Sequence, residues 1–524
     1  MKNMINILDC TLRDGGYVND WRFSEKSVID ITRCLEESGI DLIEAGYLSE
    51  KYPQEKGRTI FSSLQDIEEI VPKHILCRVA CMINYGEYAA EHLPDYNGFG
   101  IRYLRIAFHQ EDMRAALNYC RELCQKGYEV FVQPMSTIDY SEEELTAMLS
   151  VANEIGVRAV YIVDSFGFMQ PHDVELLLNL YQNNLKKDIA IGFHSHNNLQ
   201  LSMSNSEVML NHRDKGREII IDSSVFGMGR GAGNLCTELL IKHLNEHFDK
   251  SYELLPVLEI IDDYLHGIFI RTPWGYSLPY YLASSNKCHP NYATYLSQKQ
   301  TIGIQQMNKI LGRIPQENRR KFDKELIERL YIEYTGVEID DRETLHALEK
   351  VFNGKSLLLL APGKSLQEYE QQIRNYVTEQ NPIVIAINFV PKQFALDVLF
   401  LSNPKRKASV KQINSSRILT TSNITDVESR WKVNYFSLVN YSEQEADNAG
   451  LMLLRLLIKL KVKEVAMAGF DGFSQDPHQN YYDEQYINST VTEVFESRNR
   501  SVGHQLAQLM KSININFLTP TRYV

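Results

Sequence analysis

Between Met4 and about Lys250, short apolar segments alternate with amphipathic segments along the chain. The apolar segments are rich in β-branched residues, which is typical of parallel strands buried on both faces. The predicted strands are Ile5–Asp9, Leu42–Gly46, Ile75–Met82, Tyr103–Phe108, Val130–Pro134, Ala159–Asp164, Ile189–His194 and Ile219–Ser223.

Two of the amphipathic segments carry clear helix signals. Ser24–Ser38 begins with a residue that caps helices and stops before a glycine, and Ser141–Ile155 begins with Ser followed by three Glu. We count eight strand–helix repeats in about 245 residues, which matches the usual size of a (β/α)8 barrel. A doubly wound open sheet is the alternative, but eight regular repeats favour closure.

The pattern changes after the eighth repeat. Residues 251–350 combine an aromatic, proline-containing segment with charged helical patterns such as Glu317–Tyr334, so we expect a mainly helical extension packed on the barrel. Residues 351–524 return to an α/β pattern and predict a Rossmann-like open sheet. The predicted domains are therefore 1–250, 251–350 and 351–524. The strand candidates of the last domain are Ser356–Ala361, Ile383–Phe389, Asp397–Leu401, Arg417–Thr420, Tyr435–Val439, Glu464–Ala468 and Ile515–Leu518, with helices at Glu445–Leu460 and Ser489–Lys511.

Composition narrows the class of protein without naming a function. A hydrophobic content of 44% and a charged content of 23% are ordinary for a soluble globular protein. The formal charge of −12 and the lack of a long basic run give no reason to expect nucleic acid or an anionic membrane as a partner. No apolar stretch is long enough to span a bilayer, and no secretory signal is recognisable. We expect a cytoplasmic homo-oligomer.

The cysteines give no metal or disulfide motif. Cys77 and Cys81, and likewise Cys120 and Cys124, are four residues apart. Such pairs could be reactive thiols, but small apolar residues of a reduced protein are the favoured interpretation.

The first chemical motif is Asp9-Cys-Thr-Leu-Arg13-Asp14-Gly15-Gly16, at the exit of the first strand. Barrel enzymes place catalytic groups at strand exits. An arginine beside an aspartate could also be a structural ion pair, so this motif alone does not decide between the two interpretations.

The second motif places His194 and His196 at the end of the seventh strand. Residues two apart point to the same side of a strand, so both imidazoles can aim at one point in the barrel mouth. Together with Asp14 they would leave about three positions of an octahedral metal open for substrate and water. A hydrogen-bonded histidine pair in a loop is the alternative.

The third motif is a glycine-rich loop after the eighth strand, Gly227-Met-Gly229-Arg-Gly231-Ala-Gly233-Asn234. Glycines allow close backbone approach to a ligand, and N–H groups at a helix start can face an anion. Gly229 is thus a candidate substrate contact. Asn234 could either bridge to the metal site or cap a helix that begins at Leu235.

These motifs, DCTLRDGG, GFHSHNNLQLS and VFGMGRGAGN, resemble in their order the DRE-TIM metallolyase superfamily. The pattern HxHNNLxLSxxNS, with VDSFGFM after the sixth strand, is more similar to the 4-hydroxy-2-oxovalerate aldolases than to the synthases, which more often carry HxHND. The resemblance implies a (β/α)8 barrel, Mn²⁺ or Mg²⁺, and a lyase that joins or cleaves pyruvate and an aldehyde through an enolate. It implies that Asp14, His194 and His196 bind the metal, that Arg13 stabilises the enolate oxygen and that Tyr276 is catalytic.

The chain departs from these aldolases at one position. They carry a catalytic histidine shortly after the RDG motif, where this sequence has Tyr17. A tyrosine with an ordinary pKa of about 10 is a poor base, so Tyr17 could instead donate a proton or hold the substrate. A metal-bound water or His109 could take the part of the base.

Three further residues at strand exits are candidate substrate contacts. Glu44 follows the second strand, and Asp164 and Ser165 end the sixth. Glu44 and Asp164 could equally be buried hydrogen-bond acceptors at strand ends.

The last domain opens with Ala-Pro-Gly363-Lys364-Ser365 before a helix, a turn that suits a phosphate but lacks the Walker A spacing. The turn is weakly similar to that of MptE-like pyrophosphokinase domains and of a bacterial sialyltransferase family, with Gly469-Phe-Asp471 as a later strand exit. The similarity implies nucleotide or nucleotide-sugar binding, and with an aldolase it suggests a 2-keto-3-deoxy sugar acid for a surface glycan. A scaffold or oligomerisation domain is the alternative.

Two other functions compete with an aldolase. A Claisen-type acyltransferase would use acetyl-CoA and a 2-oxo acid on the same barrel, although HNN rather than HND weighs against it. A non-catalytic barrel could serve as a scaffold, but the complete set of Arg13, Asp14, His194 and His196 argues against that.

Overall fold

The structure of the chain is a computed structural model that describes residues 4–52, 55–299, 302–336, 338–410, 412–440, 445–474, 476, 479–483 and 493–524. It divides into two compact units. The first comprises Met1–Thr294 with Gln316–Phe322, and the second comprises Tyr295–Pro315 with Asp323–Val524. Residues 251–350, expected as one extension, are therefore shared between the two units.

The first unit contains the predicted closed parallel barrel. Strand β1 pairs with both β9 and β2, which completes the ring, and the short β3 also pairs with β2. The strands are β1 (Ile5–Asp9), β2 (Leu42–Leu48), β3 (Ile60–Phe61), β4 (Val79–Asn84), β5 (Tyr103–Phe108), β6 (Glu129–Pro134), β7 (Ala159–Asp164), β8 (Ala190–Ser195) and β9 (Ile219–Ser223).

Helices follow the barrel strands with one exception. After β4 the chain forms the 3₁₀ turn Ala90–His92 where the repeat predicts an α-helix. The helices are α1 (Gly16–Asn19), α2 (Glu25–Glu37), α3 (Leu64–Ile70), α4 (Met113–Gln125), α5 (Glu142–Ile155), α6 (Pro171–Asn184), α7 (Ser202–Asn211), α8 (Thr237–His247), α9 (Leu255–Ile260), a π-helical turn (Ile261–Leu265), α10 (His266–Arg271), α11 (Leu278–Ser285) and α12 (Pro290–Gln298), which ends in the second unit.

The predicted helix boundaries follow from capping. The Ser24 side chain accepts the N–H of Ser27 at 3.1 Å, and Ser141 forms a reciprocal capping box with Glu144. Gly156 ends α5 with a φ of 74°, a conformation that glycine adopts without strain. These contacts satisfy backbone groups that a helix end leaves without partners.

The alternation of side chains along the strands separates two layers of core. One set, including Leu8, Phe131, Tyr161 and Ile220, forms a cluster distinct from the larger one beneath the helices. Glu44, His194 and Asp222 lie at even spacings from members of the smaller cluster on their strands, and therefore share its side of the sheet. The barrel interior thus carries ionisable groups among its apolar layers.

The second unit contains an all-parallel sheet with the order β14-β13-β12-β11-β10-β15-β16. Apolar clusters cover both of its faces, as expected for a doubly wound α/β unit. Its strands are β10 (Leu357–Leu360), β11 (Ile383–Ile387), β12 (Val398–Leu401), β13 (Ile418–Thr421), β14 (Trp431–Val433), β15 (Glu464–Ala468) and β16 (Asn514–Phe517). Its helices are α13 (Ile304–Leu311), α14 (Lys324–Thr335), α15 (Arg342–Phe352), α16 (Ser365–Glu368), α17 (Glu370–Gln380), α18 (Ala449–Lys459) and α19 (Glu493–Leu509).

One strand prediction is wrong. The segment Tyr435–Val439 is a turn, in which the N–H of Leu438 bonds to the carbonyl of Tyr435, and the strand is Trp431–Val433 instead. Tyr435 is apolar enough to suggest a strand, but its buried hydroxyl needs a partner and donates to Asp447 at 3.0 Å. The predicted helix at Ser489–Lys511 begins outside the described residues and is seen as α19.

The described part of the chain contains no helix that is both long and apolar enough to cross a bilayer. Its cysteines are free thiols, and burial raises the pKa of Cys124 to about 11. The Cys77 side chain lies outside what the structure describes, so its predicted relation to Cys81 stays open.

Candidate active site

The loop after β1 and the end of β8 bring together one carboxylate and two imidazoles. Ligand atoms of Asp14, His194 and His196 lie within 4.8 Å of one another, and all three residues are buried. The His196 Nδ1 atom is 4.0 Å from Asp14 Oδ2 and has no hydrogen-bond partner among the described residues. A buried nitrogen left without a donor or acceptor, facing a carboxylate, fits a position that a cation can share with both.

The protonation of these groups suits cation binding. Burial lowers the pKa of His196 to about 4, so its ring is neutral at pH 7 and keeps a lone pair. Burial alone would raise the pKa of Asp14, but the Arg13 guanidinium, followed by the two imidazoles, brings it below its usual range. An ionised carboxylate and a neutral imidazole nitrogen are ligand types that divalent transition ions accept.

The Arg13 guanidinium lies beside this cluster and is fixed from several sides. Its Nη1 pairs with Asp14 Oδ1, and its Nε donates to Glu44 Oε2 at 2.7 Å. The backbone carbonyl of Arg13 accepts the indole N–H of Trp21 at 2.7 Å. Gly16 permits this contact, because a Cβ there would lie 2.0 Å from the indole ring. The result is a buried positive charge that is held in place before any substrate arrives.

A chain of ionic contacts continues below Arg13 through the barrel interior. Glu44 Oε2 is 2.9 Å from Arg105 Nη1, Arg105 Nη2 pairs with Asp222 Oδ2, and the same Asp222 oxygen is 2.9 Å from His194 Nδ1. Burial would raise the pKa of Asp222, but the Arg105 guanidinium and the hydrogen bond with His194 together lower that pKa. An anionic Asp222 accepting the Nδ1–H of His194 leaves Nε2 as the atom that can bind a metal.

Comparisons with known proteins agree with this geometry. A family model described as HMGL-like matches residues 102–260. A 4-hydroxy-2-oxovalerate aldolase from Bacillus cereus is 30% identical over 263 residues, which is 49% of this chain and 75% of the relative. This chain belongs to the 4-hydroxy-2-oxovalerate aldolase family of DRE-TIM metallolyases.

One further relative and one solved structure are also similar to this chain. The corresponding aldolase from a Marinomonas strain is 27% identical over 274 residues, which is 50% of this chain and 77% of the relative. The N-terminal domain of an aldolase from Bacteroides vulgatus matches at 30% identity with a TM-score of 0.47, covering 56% of this chain and 96% of that structure. The prediction of a lyase is confirmed, and the chain is a divalent-metal-dependent aldolase.

Sequence reasoning missed two members of the interior network of this aldolase, Arg105 and Asp222. Both left a signal, because Arg105 interrupts the apolar strand β5 and Asp222 follows three isoleucines in β9. A charged residue inside an otherwise apolar parallel strand is costly to bury without a partner. Arg105 and Asp222 therefore each indicated a buried ion pair, although the sequence did not identify the partner residue.

We expect Asp222→Asn to weaken metal binding and to destabilise the aldolase. The substitution leaves Arg105 without one of its two carboxylates, a loss of about 3–5 kcal/mol for a broken buried pair. It also removes the anion that orients His194, for which the metal affinity should fall about 10–100-fold. Metal titration and thermal unfolding of the variant measure the two effects separately.

Asp188→Asn is the matched control for that prediction. Asp188 is exposed, and it lies in the loop that enters β8, at the opposite end of the strand from His194. It should leave both quantities unchanged. An Asp222→Asn protein with normal metal affinity would show that Asp222 does not orient the imidazole.

The glycine-rich loop of the aldolase contacts the cluster directly. The Asn234 side-chain amide donates to Asp14 Oδ2 at 2.7 Å, and α8 begins at Thr237 rather than at the expected Leu235. A Cβ on Gly229 would lie 2.8 Å from that same Asp14 oxygen. Of the two roles considered for Asn234, the structure shows the contact with the predicted metal ligand.

Tyr17 lies at the rim of this site with two residues that sequence reasoning did not select. Its hydroxyl is 3.1 Å from that of Tyr47, and the Arg230 guanidinium carbon is 5.7 Å from its ring centre. Arg230 in turn contacts the His289 ring. Burial, then Arg230 and His109, lower the pKa of His289 to about 3, so this ring is neutral at pH 7.

Three residues predicted to be catalytic or to bind substrate make contacts outside the Asp14, His194 and His196 cluster. The Asp164 carboxylate accepts the N–H groups of Phe168 and Met169 at 3.1 Å each, and burial raises its pKa to about 7. Ser165 Oγ accepts the N–H of Ser136 at 2.9 Å. Tyr276 is 57% exposed, and its neighbouring ring is that of Tyr281 rather than a member of the cluster.

Proposed function

We propose that the barrel catalyses the reversible aldol reaction that joins pyruvate and an aldehyde into a 4-hydroxy-2-oxo acid. The observation that carries the proposal is the convergence of Asp14, His194 and His196 beside the buried guanidinium of Arg13. The names of the relatives support this reaction class. A bound divalent cation, Mn²⁺ or Mg²⁺, would polarise the 2-oxo group and so make the neighbouring methyl protons more acidic.

In this proposal Arg13 supplies the second positive charge at the oxygen that becomes anionic. Its ionic contacts to Asp14 and Glu44 fix its position, so little reorganisation is needed when the charge develops. Glu44 acts through Arg13 and is a positioning residue rather than a substrate contact. Gly229 lets its loop lie against Asn234 and Asp14, because a Cβ there would be 2.4 Å from Asn234 Nδ2 and 2.8 Å from Asp14 Oδ2.

We assign proton transfer to residues at the rim of the site. Tyr17 keeps 41% of its side chain exposed, and its hydroxyl can donate to the aldehyde-derived oxygen. The lowered pKa makes the neutral ring of His289 a weak base, and its contact with Arg230 would hold that guanidinium at the rim. Arg230, which touches both residues, would attract the carboxylate of an incoming 2-oxo acid.

The finer identity of the substrate is also a proposal. The weak similarity of the Gly363-Lys364-Ser365 turn to nucleotide- and nucleotide-sugar-binding domains suggests an activated-sugar context, and hence an aldehyde that yields a 2-keto-3-deoxy sugar acid for a surface glycan. We further propose that the enzyme is a cytoplasmic homo-oligomer. The aldehyde can be sought by product analysis once pyruvate activation is established.

The test is deuterium exchange of the pyruvate methyl group, followed by NMR in D₂O. The purified chain should catalyse exchange with Mn²⁺ or Mg²⁺ and lose it in excess EDTA, because the methyl protons are acidified only while the cation is held. Adding the metal back should restore the rate. His212→Ala, at the exposed end of α7, should behave as the unmodified chain.

Each other outcome points to a different function. Stoichiometric metal without exchange would favour a different 2-oxo acid, or the acyltransferase that releases free CoA from acetyl-CoA. Neither metal nor exchange would contradict the proposal and leave the barrel as a scaffold.

A further inference from the structure

A cavity of about 380 Å³ opens at the carboxyl edge of the sheet in the second unit. Strands β10 and β15 are neighbours there, and the chain winds away from them in opposite directions to β11 and β16. In doubly wound sheets such a switch point separates the loops that follow the two strands, and ligands bind in the resulting crevice. Residues after β10, β11, β12 and β15 all line this cavity. Its size is within the usual range of small-molecule sites.

The floor of the cavity is formed by two strand exits in close contact. The N–H of Gly363 donates to the carbonyl of Gly469 at 2.9 Å, and a Cβ on Gly363 would lie 2.3 Å from that oxygen. Gly469 has a φ of 73°. Both positions therefore need glycine for the backbones to approach each other.

The Gly-Lys-Ser turn already binds a carboxylate of the protein itself, that of Asp471. Asp471 accepts both the N–H and the hydroxyl of Ser365, and Gly363 is tight against its carboxylate. Because these donors are engaged, an external phosphate is better placed elsewhere in the cavity than on the predicted Gly363, Lys364 and Ser365.

The opposite side of the cavity carries a lysine that forms no ion pair with the described residues. Lys405 lines the cavity from the loop after β12, and no carboxylate among the described residues lies within 4 Å of its ammonium group. Hydrogen bonds hold the loop that carries Lys405 in place. The Asn388 side chain accepts the backbone N–H groups of Ser402 and Asn403. The Asn403 side chain in turn accepts the backbone N–H of Lys405 at 2.9 Å. Arg406 lines the same wall.

The carboxylates of the cavity are, by contrast, engaged within the unit. Asp447 accepts the hydroxyls of Tyr331 and Tyr435 at 3.1 and 3.0 Å, and Glu445 pairs with Arg498 at 3.2 Å. An anion entering beside Lys405 therefore meets acidic groups whose charge is already partly compensated.

Helix α18 begins at the same wall. Asn448 caps it by accepting the N–H of Leu451 at 3.2 Å, while Ala449 and Gly450 line the cavity. N–H groups of a first helical turn have no partner within the helix and favour an anion. The cavity also has an aromatic part, where the rings of Phe470 and Tyr523 are 4.7 Å apart and Tyr481 lies on the wall.

We propose that this cavity binds a nucleotide, with its phosphate between Lys405, Arg406 and the start of α18. The nucleobase would lie against the aromatic side, since bases stack on aromatic rings. The site is separate from the aldolase site and does not depend on the function proposed for the barrel.

Isothermal titration of the full chain with CMP, UMP, AMP, GMP and inorganic phosphate tests the proposal. We expect at least one nucleotide to bind with a Kd below about 1 mM and more tightly than inorganic phosphate, because the base adds contacts. Lys405→Ala should weaken that binding at least about tenfold, as should Ala449→Asp, which adds a negative charge where the phosphate would lie. Aspartate is favourable in a first helical turn, so the second variant should remain folded.

Lys407→Ala is the matched control. Lys407 lies on the same 3₁₀ segment, Pro404–Val410, but pairs with Asp426 and does not line the cavity. It should bind the nucleotide normally, and all three variants should retain barrel activity. No binding of any nucleotide, binding of inorganic phosphate alone, or equal binding by folded Ala449→Asp protein would each overturn the proposal.

Discussion

Asp14→Asn should reduce metal-dependent exchange of the pyruvate methyl protons to the metal-free background. The substitution keeps the size of the side chain and removes its charge, so the proposed cation would lose its anionic ligand and keep two imidazoles. It also changes Asp14 Oδ1, the partner of Arg13, and Oδ2, the acceptor of the Asn234 amide. Metal content and exchange rate should therefore fall together.

The comparison that isolates this effect is Asp188→Asn, the same chemical change at the far end of the barrel. Circular dichroism should show both variants folded, since Glu44 remains to pair with Arg13. Exchange at the normal rate in Asp14→Asn, with the metal retained, would remove Asp14 from the proposed ligand set.

Arg13→Lys should leave the metal bound but slow the exchange by about 10²–10³-fold, the usual loss when one electrostatic donor to an oxyanion is removed. Lysine keeps the charge, but a single ammonium cannot reproduce the contacts that Nε makes with Glu44 and Nη1 with Asp14. The loss should appear in kcat, because the guanidinium acts mainly on the charge that develops during the reaction.

Arg33→Lys is the matched control, since Arg33 is 57% exposed on α2. A loss of metal in Arg13→Lys would mean that Arg13 only holds Asp14 in place. A rise in KM with kcat unchanged would mean that it only binds the substrate carboxylate. Either result would contradict the role proposed for it.

The fold could be predicted from the sequence because strands and helix ends are marked by patterns of neighbouring residues. Buried parallel strands such as Ile219–Ser223 are short apolar runs, and caps such as Ser141 with Glu144 mark helix starts within a few residues. The convergence of Asp14 with His194 and His196 was also predictable, because strand order in a barrel follows from the repeat and both motifs lie at strand exits.

What the sequence did not show depends on pairing between distant residues. Arg105 and Asp222 are 117 positions apart, and Ser365 and Asp471 are 106 apart. The sequence shows that each needs a partner but cannot choose among several carboxylates or donors. For the same reason, the sequence did not predict the contact of Arg230 with His289. This contact joins the loop after β9 to a segment beyond the barrel repeats.

The interior network also sets a charge condition on the substrate. Arg13 and Arg105 face Asp14, Glu44 and Asp222, so the five joined groups carry one net negative charge. A divalent cation would convert this into one net positive charge in a buried place, where an uncompensated charge is costly. A monoanion such as a 2-oxo carboxylate would restore neutrality, whereas an uncharged ketone would leave the excess. Charge balance alone would thus make the site prefer a 2-oxo acid to a simple ketone as substrate. This preference would not require any residue shaped to bind the carboxylate.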